Sequence, residues 1–478
     1  MIDTEALRGK ILDLAIRGKL TEQLSEDGSA EDLYAKIQEE KAQLIKEGKI
    51  KKEKALPETT EDEIPFEIPK NWKWCKLGNA FEIVMGQSPN GENINSQAGM
   101  EFHQGKIYFG SKYLNKSDKK TTEATKIAKE NSVLLCVRAP VGIVNITDRE
   151  ICIGRGLCAL TVVMGVELEY LYYYLKTRRK SFELKGTGST FSAISIDDVK
   201  AHVFPLPPLP EQKRIIDKVN CILERVDEIE NLQSQYATNV EVLKSKLIDA
   251  GIRGKLTQQL PEDGKVEDLY EEIQIGKAKI LERRKGREDK KIKAIENNMP
   301  FEIPSHWKWI RLGDIGLFKK GPFGSALTKS IFVQKGEDTV KVYEQQHAIK
   351  KDSELGIYYI TREYFNEKMS GFEVMPGDII ISCAGTIGET YIMPDKIEQG
   401  IINQALMRVT LAEGINKKFF QYYFDANLKK SAQKESNGSA IKNIPPFDVL
   451  KNWYFPLTSI EEQGRIMGKI DALLNIFD

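Results

Sequence analysis

Across 211–250 the apolar residues fall at Ile215, Val219, Ile222, Val226 and Ile229, and again at Val240, Leu243, Leu247 and Ala250. The steps alternate between four and three, which lays one apolar stripe along a helix for a second helix to cover. The pattern loosens at Leu232 and Tyr236, yet Val226 and Val240 stand two heptads apart, so the phase survives. At about 1.5 Å of rise per residue the stretch predicts a coiled-coil rod of roughly 60 Å. Few globular cores need a helix of that length.

On either side the periodicity shortens. Runs at 101–109, 132–137, 157–163, 378–382 and 405–409 are rich in strand-forming residues, and Gly/Asn/Ser loops separate them. Each side also carries one Tyr/Phe-rich helical run, 168–175 and 417–424. The pattern predicts two globular α+β domains. In each, a Trp-Lys-Trp alternation (Trp72 and Trp74, Trp307 and Trp309) reads as a strand with one buried face. Pro205, Pro207 and Pro208 on one side and Pro456 on the other end each domain before a helix starts.

The two sides are copies of one another. IRGKLTEQLSEDGSAEDLY at 16–34 recurs as IRGKLTQQLPEDGKVEDLY at 252–270, and PFEIPKNWKWCKLG at 65–78 recurs as PFEIPSHWKWIRLG at 300–313. LLCVRAPVG at 134–142 matches IISCAGTIG at 380–388, and FPLPPLPEQKRI at 204–215 matches FPLTSIEEQGRI at 455–466. The long central helix has no single second copy. Ile466, Ile470, Leu473 and Phe477 repeat its first half, while Leu7, Ile11 and Leu14 repeat its last turns. Only counterparts of 228–236 are missing. A second rod is therefore expected to be assembled from the two ends of the chain, antiparallel to the first, with the termini close together about a pseudo-two-fold axis. The expected architecture is α+β, with two globular domains separated by two antiparallel long helices. Its segments are 1–57, completing the second rod; 58–207, the first domain; 208–296, the central coiled-coil region; 297–457, the second domain; and 458–478, the C-terminal helix.

Composition adds limits. Seventy basic residues balance seventy acidic ones, so any polyanion must be held by local patches. The segments 36–54 and 277–293 are basic and read as solvated helix ends and tethers, with phosphate contact as the alternative. The six cysteines show no metal-ligand spacing and read as reduced core thiols. The charged N-terminus lacks an apolar targeting segment, and no run of 18 apolar residues occurs. The expectation is a cytoplasmic protein that neither leaves the cell nor engages a membrane.

Chemistry is conspicuously missing. There is no GxxxxGK[ST] loop for a nucleotide. Gly154-Arg155-Gly156-Leu157-Cys158-Ala159 spells GxGxxA but leads into a strand-like run, not a helix. Asn443-Ile444-Pro445-Pro446-Phe447 resembles the Asn-Pro-Pro-aromatic motif of amino-methyltransferases, but Ile444 interrupts it and no S-adenosylmethionine loop precedes it. Asp198-Val199-Lys200 and Glu39-Glu40-Lys41 lack the upstream acid that a metal-dependent nuclease needs, and the four histidines form no nucleophile triad. The reading is a chain with no self-sufficient active site, no catalytic residue and no metal. Two related heads on rods of fixed length suit duplex DNA, whose half-sites are spaced and related by near two-fold symmetry.

The doubled FPLPPLPEQKRI and FPLTSIEEQGRI exits, the IRGKLT…EDG loops, the PFEIPxxWKWxxLG openings and the GPFGSAL segment at 321–327 resemble the specificity subunits of type I restriction–modification systems. The resemblance covers essentially the whole chain. It implies two target-recognition domains that read the halves of an asymmetric bipartite double-stranded DNA site, with the coiled coil setting their spacing. It also implies two methyltransferase (modification) subunits as partners, and restriction/translocase subunits in the full complex. S-adenosylmethionine, ATP and Mg would then sit on those partners, and no cofactor on this chain. A fused enzyme that itself methylates or cleaves DNA, and a coiled-coil scaffold without a DNA role, are the alternatives.

Within the domains, polar, basic and Gly-flanked loop positions suit DNA, since Arg and Lys match phosphates or guanine edges and Gln and Asn match adenine. In the first domain these are Gln87, Ser88, Asn90, Lys112, Tyr113, Arg138 and Lys185, with Thr187 and Ser189 in a glycine-rich turn. In the second they are Lys319, Lys320, Ser325, Lys329, Tyr343, Gln345, Gln346, Lys442 and Asn443. For partner subunits the candidates are Arg17, Lys19, Arg253 and Lys255 in the two RGKL turns.

Overall fold

The computed structural model describes every residue except 53–55, 163–164, 186–192, 285–291, 297–298, 436–443 and 478, and the side chains of 429–435. The chain forms two compact units, Met1–Gln235 and Tyr236–Asp478. The division falls inside one continuous helix, Leu209–Ile252, which begins with Pro210 in its first turn, where a missing N–H costs nothing.

Each unit is built to the same plan. In the first, Lys73–Lys76 pairs antiparallel with Val203–Leu206, so the segments that open and close the domain lie side by side. Between them is an antiparallel sheet in the order Phe81–Met85, Leu157–Val162, Ser132–Cys136, Val144–Thr147, and a second sheet that includes Met100–His103 parallel to Ile151–Ile153. In the second unit Lys308–Arg311 pairs with Tyr454–Leu457, and the matching sheet runs Gly316–Lys320, Leu406–Leu411, Ile379–Ser382, Thr390–Ile392. The aromatic helices Leu168–Thr177 and Lys417–Glu435 supply much of each core: Tyr170 and Tyr174 in one, Phe419, Phe420 and Phe424 in the other. The strand expected over 101–109 is short, ending at His103, because the chain turns out into a loop there.

The long helix has an antiparallel partner in each unit. In the first this is Thr4–Ile16: Ile2 N donates to Gln233 Oε1 at 2.5 Å, and Arg8 bridges to Asp227 at 2.5 Å and Glu230 at 2.7 Å. In the second it is Ile460–Leu474, with Ile466 and Ile470 against Gly251. Ile215, Val219, Val226 and Val240 are buried as the heptads require, but Leu243 is exposed, as are Leu232 and Tyr236. The stripe is therefore covered only in part: Val240 is buried while Leu243, one turn on, is 49% exposed.

The repeated sequence motifs meet at one joint per unit. Glu211 is fully buried and accepts from Trp72 Nε1 at 2.8 Å and Gln23 Nε2 at 2.9 Å; Glu462, equally buried, accepts from Trp307 Nε1 at 3.0 Å and Thr257 Oγ1 at 2.8 Å. Gln212 and Gln463, the next residues, each accept a backbone N–H at 2.8 Å, from Glu167 and Asn416. Arg214 grips Asp27 through two bonds of 2.6 Å, and Arg465 grips Asp263 in the same way. Gly18 and Gly254 sit at φ +66° and +68°, and a Cβ on either would lie 2.3 or 2.6 Å from the Cγ of Pro69 or Pro304. Only glycine meets both demands, which accounts for the RGKL turn recurring with the PFEIP segment.

These carboxylates set the acid limit of stability. Hydrogen bonding to Arg214 holds the Asp27 carboxyl below its ordinary range, and Arg465 does the same for Asp263. Desolvation is the largest single effect on Glu462 and pushes it up, but the combined bonds from Thr458, Thr257, Trp307 and His306 bring it below normal. A folded-state pKa below the unfolded value of about 4 adds stability above that pH, and the gain is lost as pH falls through the folded value. Burial holds the His202 imidazole at about 3, well below its ordinary 6.5, so the unfolded chain takes up a proton there that the folded chain does not. Thermal unfolding is therefore expected to start moving to lower temperature below about pH 6.5 and to fall further below about pH 4, where the carboxylates lose their gain. A midpoint that rises on acidification would contradict this.

Candidate nucleic-acid interface

The strand register brings three loops to one rim of each unit. Met85 lies opposite Cys158 and Leu157 opposite Cys136, so the loops at 86–93, 137–143 and 154–156 leave the same end of the sheet. In the second unit Lys320 lies opposite Met407 and Leu406 opposite Ser382, which gathers 321–327, 383–389 and 403–405. The first loop of each set is pinned in the same way. Gly86 N donates to Leu157 O at 2.8 Å, and Gly321 N to Leu406 O at 2.9 Å. A Cβ on Gly86 would stand 2.3 Å from Gly154 O, and one on Gly321 only 1.8 Å from Asn403 O. Gly321→Ala is accordingly expected to displace 321–327 and cost about 1–3 kcal/mol, the usual penalty of overpacking. The check is the thermal midpoint of the variant, and one equal to the parent's would refute the pinning.

Four of the nine first-domain candidates come together at this rim. Gln87 and Asn90 are exposed, Ser88 Oγ accepts from Arg155 N at 3.1 Å, and Arg138 is exposed beside Gly156. Lys112 and Tyr113 do not join them. They stand beside Ile146, along the strand instead of at its loop end, and Lys112 is ion-paired to Glu169 at 2.6 Å. Tyr113 remains 47% exposed. Lys185 is exposed at the end of Arg179–Lys185, while Thr187 and Ser189 lie outside the described residues.

In the second domain Lys319, Lys320, Ser325 and Lys329 are exposed at or just beyond the pinned loop, and Gln345 lies against Gly385 of the neighbouring loop. Tyr343 is not at the surface. It is fully buried because Thr339–Tyr343 is an inner strand of its sheet, and its hydroxyl donates to Glu398 O at 2.7 Å. Gln346 is half-buried and spends its amide on Glu344 at 2.9 Å. Lys442 and Asn443 lie outside the described residues.

The rim also holds residues that loop composition did not single out. Arg155 is exposed between Gly154 and Gly156, in a segment read only as a failed nucleotide motif, although a glycine-framed arginine at a strand end was itself a signal. Phe323 is 89% exposed at the tip of its loop.

The RGKL turns divide by side chain. Arg17 binds Asp13 at 2.8 Å with its guanidinium 4.5 Å from the Phe66 ring centroid, and Arg253 binds Asp249 at 2.5 Å over Phe301 at 4.6 Å. These arginines brace the joints, whereas Lys19 and Lys255 are exposed. The basic stretches are partly structural as well: Lys41 Nζ donates to Gly78 O at 2.7 Å, Lys277 Nζ to Gly313 O at 2.6 Å, and half-buried Arg284 bridges to Asp378 at 2.8 Å. Among the described residues no helix is long and apolar enough to cross a membrane, and no group of three or more His, Cys, Asp or Glu is placed to hold a metal.

Comparison with known proteins places this arrangement. The family described as type I restriction modification DNA specificity domain matches twice, over 69–238 and 304–478. The EcoAI specificity subunit of Escherichia coli is 26% identical over 545 residues, covering 98% of this chain and 88% of that protein. The putative MjaX specificity subunit of Methanocaldococcus jannaschii is 36% identical over 194 residues, covering 40% of this chain but 44% of its own length. Among solved structures, a chain from work on assembly and conformational transition of the type I R-M system aligns at TM-score 0.37 and 29% identity, covering 53% of this chain and 58% of that one. The HsdS subunit from Thermoanaerobacter tengcongensis aligns at 0.33 and 28%, covering 48% and 51%. Two matched copies, one in each compact unit, take in most of the sequence, and the chain belongs to the type I restriction modification DNA specificity domain family.

Proposed function

We propose that this chain is the DNA-reading component of a type I restriction–modification complex, each unit recognising one half of an asymmetric bipartite duplex. The observation that carries the reading is the pair of rims, which share one backbone frame and bear unlike side chains. One scaffold docked twice accounts for the two halves, and the change from Gln87, Asn90 and Arg138 to Lys320, Ser325 and Gln345 accounts for their asymmetry. The helix Leu209–Ile252 sets the spacing between halves. The chain carries out no chemistry: two modification subunits bring S-adenosylmethionine, and restriction/translocase subunits bring ATP and Mg. Exposed Lys19 and Lys255, at equivalent turns, are the contacts offered to the modification subunits.

The test is selection of a randomised duplex library by the chain together with its modification partner. Two short defined blocks separated by an undefined spacer are expected. One continuous block, or none, would overturn the proposal, and S-adenosylmethionine binding by the chain alone would favour a fused enzyme. Because the net charge is zero, affinity must come from local cations such as Arg138, Arg155, Lys319 and Lys320, and it should fall as salt rises.

A further inference from the structure

The pinned loops end in the same small device. In the first unit Pro89 is buried, Asn90 is exposed and Gly91 opens the 3₁₀ turn Gly91–Asn93. In the second, Pro322 is buried, Phe323 is exposed and Gly324 opens the turn Gly324–Ala326. The backbone of the tip residue is the same in both, φ −60° and ψ 141° at Asn90, φ −60° and ψ 147° at Phe323. Nothing lies within 4 Å of a Cβ built on Gly91 or Gly324, so both tips stand clear of their own unit. The far side of each turn is fixed: Asn93 is bonded to Glu123, while Tyr364 Oη donates to Ala326 O at 2.8 Å and Leu327 is buried among Val340, Val342 and Ile360. The equivalence is hidden in sequence because the loop between the pinning glycine and the proline differs in length.

We infer that Asn90 and Phe323 occupy the same base-facing position in the two units, and that Phe323 reads its half of the DNA by laying its ring on a thymine methyl. The inference rests on the proposed reading of the chain as a DNA-recognition subunit. A single exposed apolar side chain is ordinary and assigns nothing by itself. The frame assigns it: a rigid turn, flanked by the exposed cations Lys319, Lys320 and Lys329, presents one residue outward, and in the other unit that residue is an exposed amide, a group able to pair with adenine. In the major groove an amide suits adenine, and an apolar side chain suits the thymine methyl. One frame thus reads opposite members of an A·T pair by changing only its tip.

The experiment uses the full chain with its modification partner and a duplex carrying the target selected by the wild-type complex. Phe323→Ala is expected to weaken binding about tenfold, with discrimination lost only in the second half-site; Phe323→Leu retains most of it, and Asn90→Ala loses discrimination only in the first. Replacing each thymine of the second half in turn by deoxyuridine, which removes only the methyl, should weaken wild-type binding at one position and leave Phe323→Ala indifferent there. Full affinity in Phe323→Ala, or a wild-type complex indifferent to every such replacement, overturns the inference while leaving the bipartite reading intact. A wild-type complex that selects no bipartite target refutes that reading instead. Since Phe323 touches little of its own unit, its variants should melt with the parent.

Discussion

Glu462→Ala is expected to destabilise the second unit by about 3–5 kcal/mol, a fall of about 10 °C in its thermal midpoint at the usual scaling for a unit of this size. The Glu462 carboxylate is completely buried and accepts from Thr257, Trp307, His306 and Thr458. Alanine removes the acceptor and leaves those donors in place, and each buried donor left unpaired costs about 1–3 kcal/mol. Thr257 belongs to the RGKL segment, Trp307 to the domain opening and Thr458 to the domain exit, so three remote stretches lose their common tie at once. Glu462→Gln keeps the volume and one acceptor but turns an NH₂ toward the donors, and it should fall between. Glu211→Ala should act likewise on the first unit, through Trp72, Gln23 and Thr21. A Glu462→Ala protein melting within a degree or two of wild type would show that the joint does not hold the unit together.

Inserting one heptad after Gln235 is expected to abolish recognition of the native target, lowering affinity more than a hundredfold, and to shift preference to a longer spacer. Seven residues add about 10 Å of helix and keep the apolar stripe in phase. The site falls in the exposed stretch 234–239, away from both joints. Ten ångströms correspond to about three base pairs at 3.4 Å each, but three base pairs also turn the duplex by roughly a third of a full rotation. The longer site should therefore be bound more weakly than the native one. Selection from duplexes with graded spacers measures this directly, and an unchanged spacer would show that the helix does not set the distance.

Much of this fold was legible because the chain is written twice. The doubled RGKL, PFEIP and Glu-Gln segments marked residues needed in both copies, and they are the ones that meet at the joints. The long helix and the aromatic helices followed from periodicity alone. What stayed illegible depends on where remote segments come to rest. Tyr343 looked like a loop-edge residue, and only its pairing with Gly400–Ile402 in an inner strand buries it. Lys112 looked free because Glu169, its partner, is 57 residues away in sequence. Leu243 fits the heptad, but a stripe does not say which of its positions are covered, and here Val240 is buried while Leu243 is exposed. At the candidate interface, composition found Gln87, Asn90 and Lys320. It passed over Phe323 because the search was for polar groups, and Arg155 because its glycines suggested another motif.

The boundary between the compact units at Gln235 and Tyr236 has a consequence for inheritance. Each side of it holds a whole joint, a whole set of sheets and its own antiparallel helix pair. A genetic crossover in the codons for the exposed helix stretch 234–239 would therefore hand on an intact reader, never half of one. New pairings of half-sites could arise from such exchanges in a single step, with no core to repack afterwards.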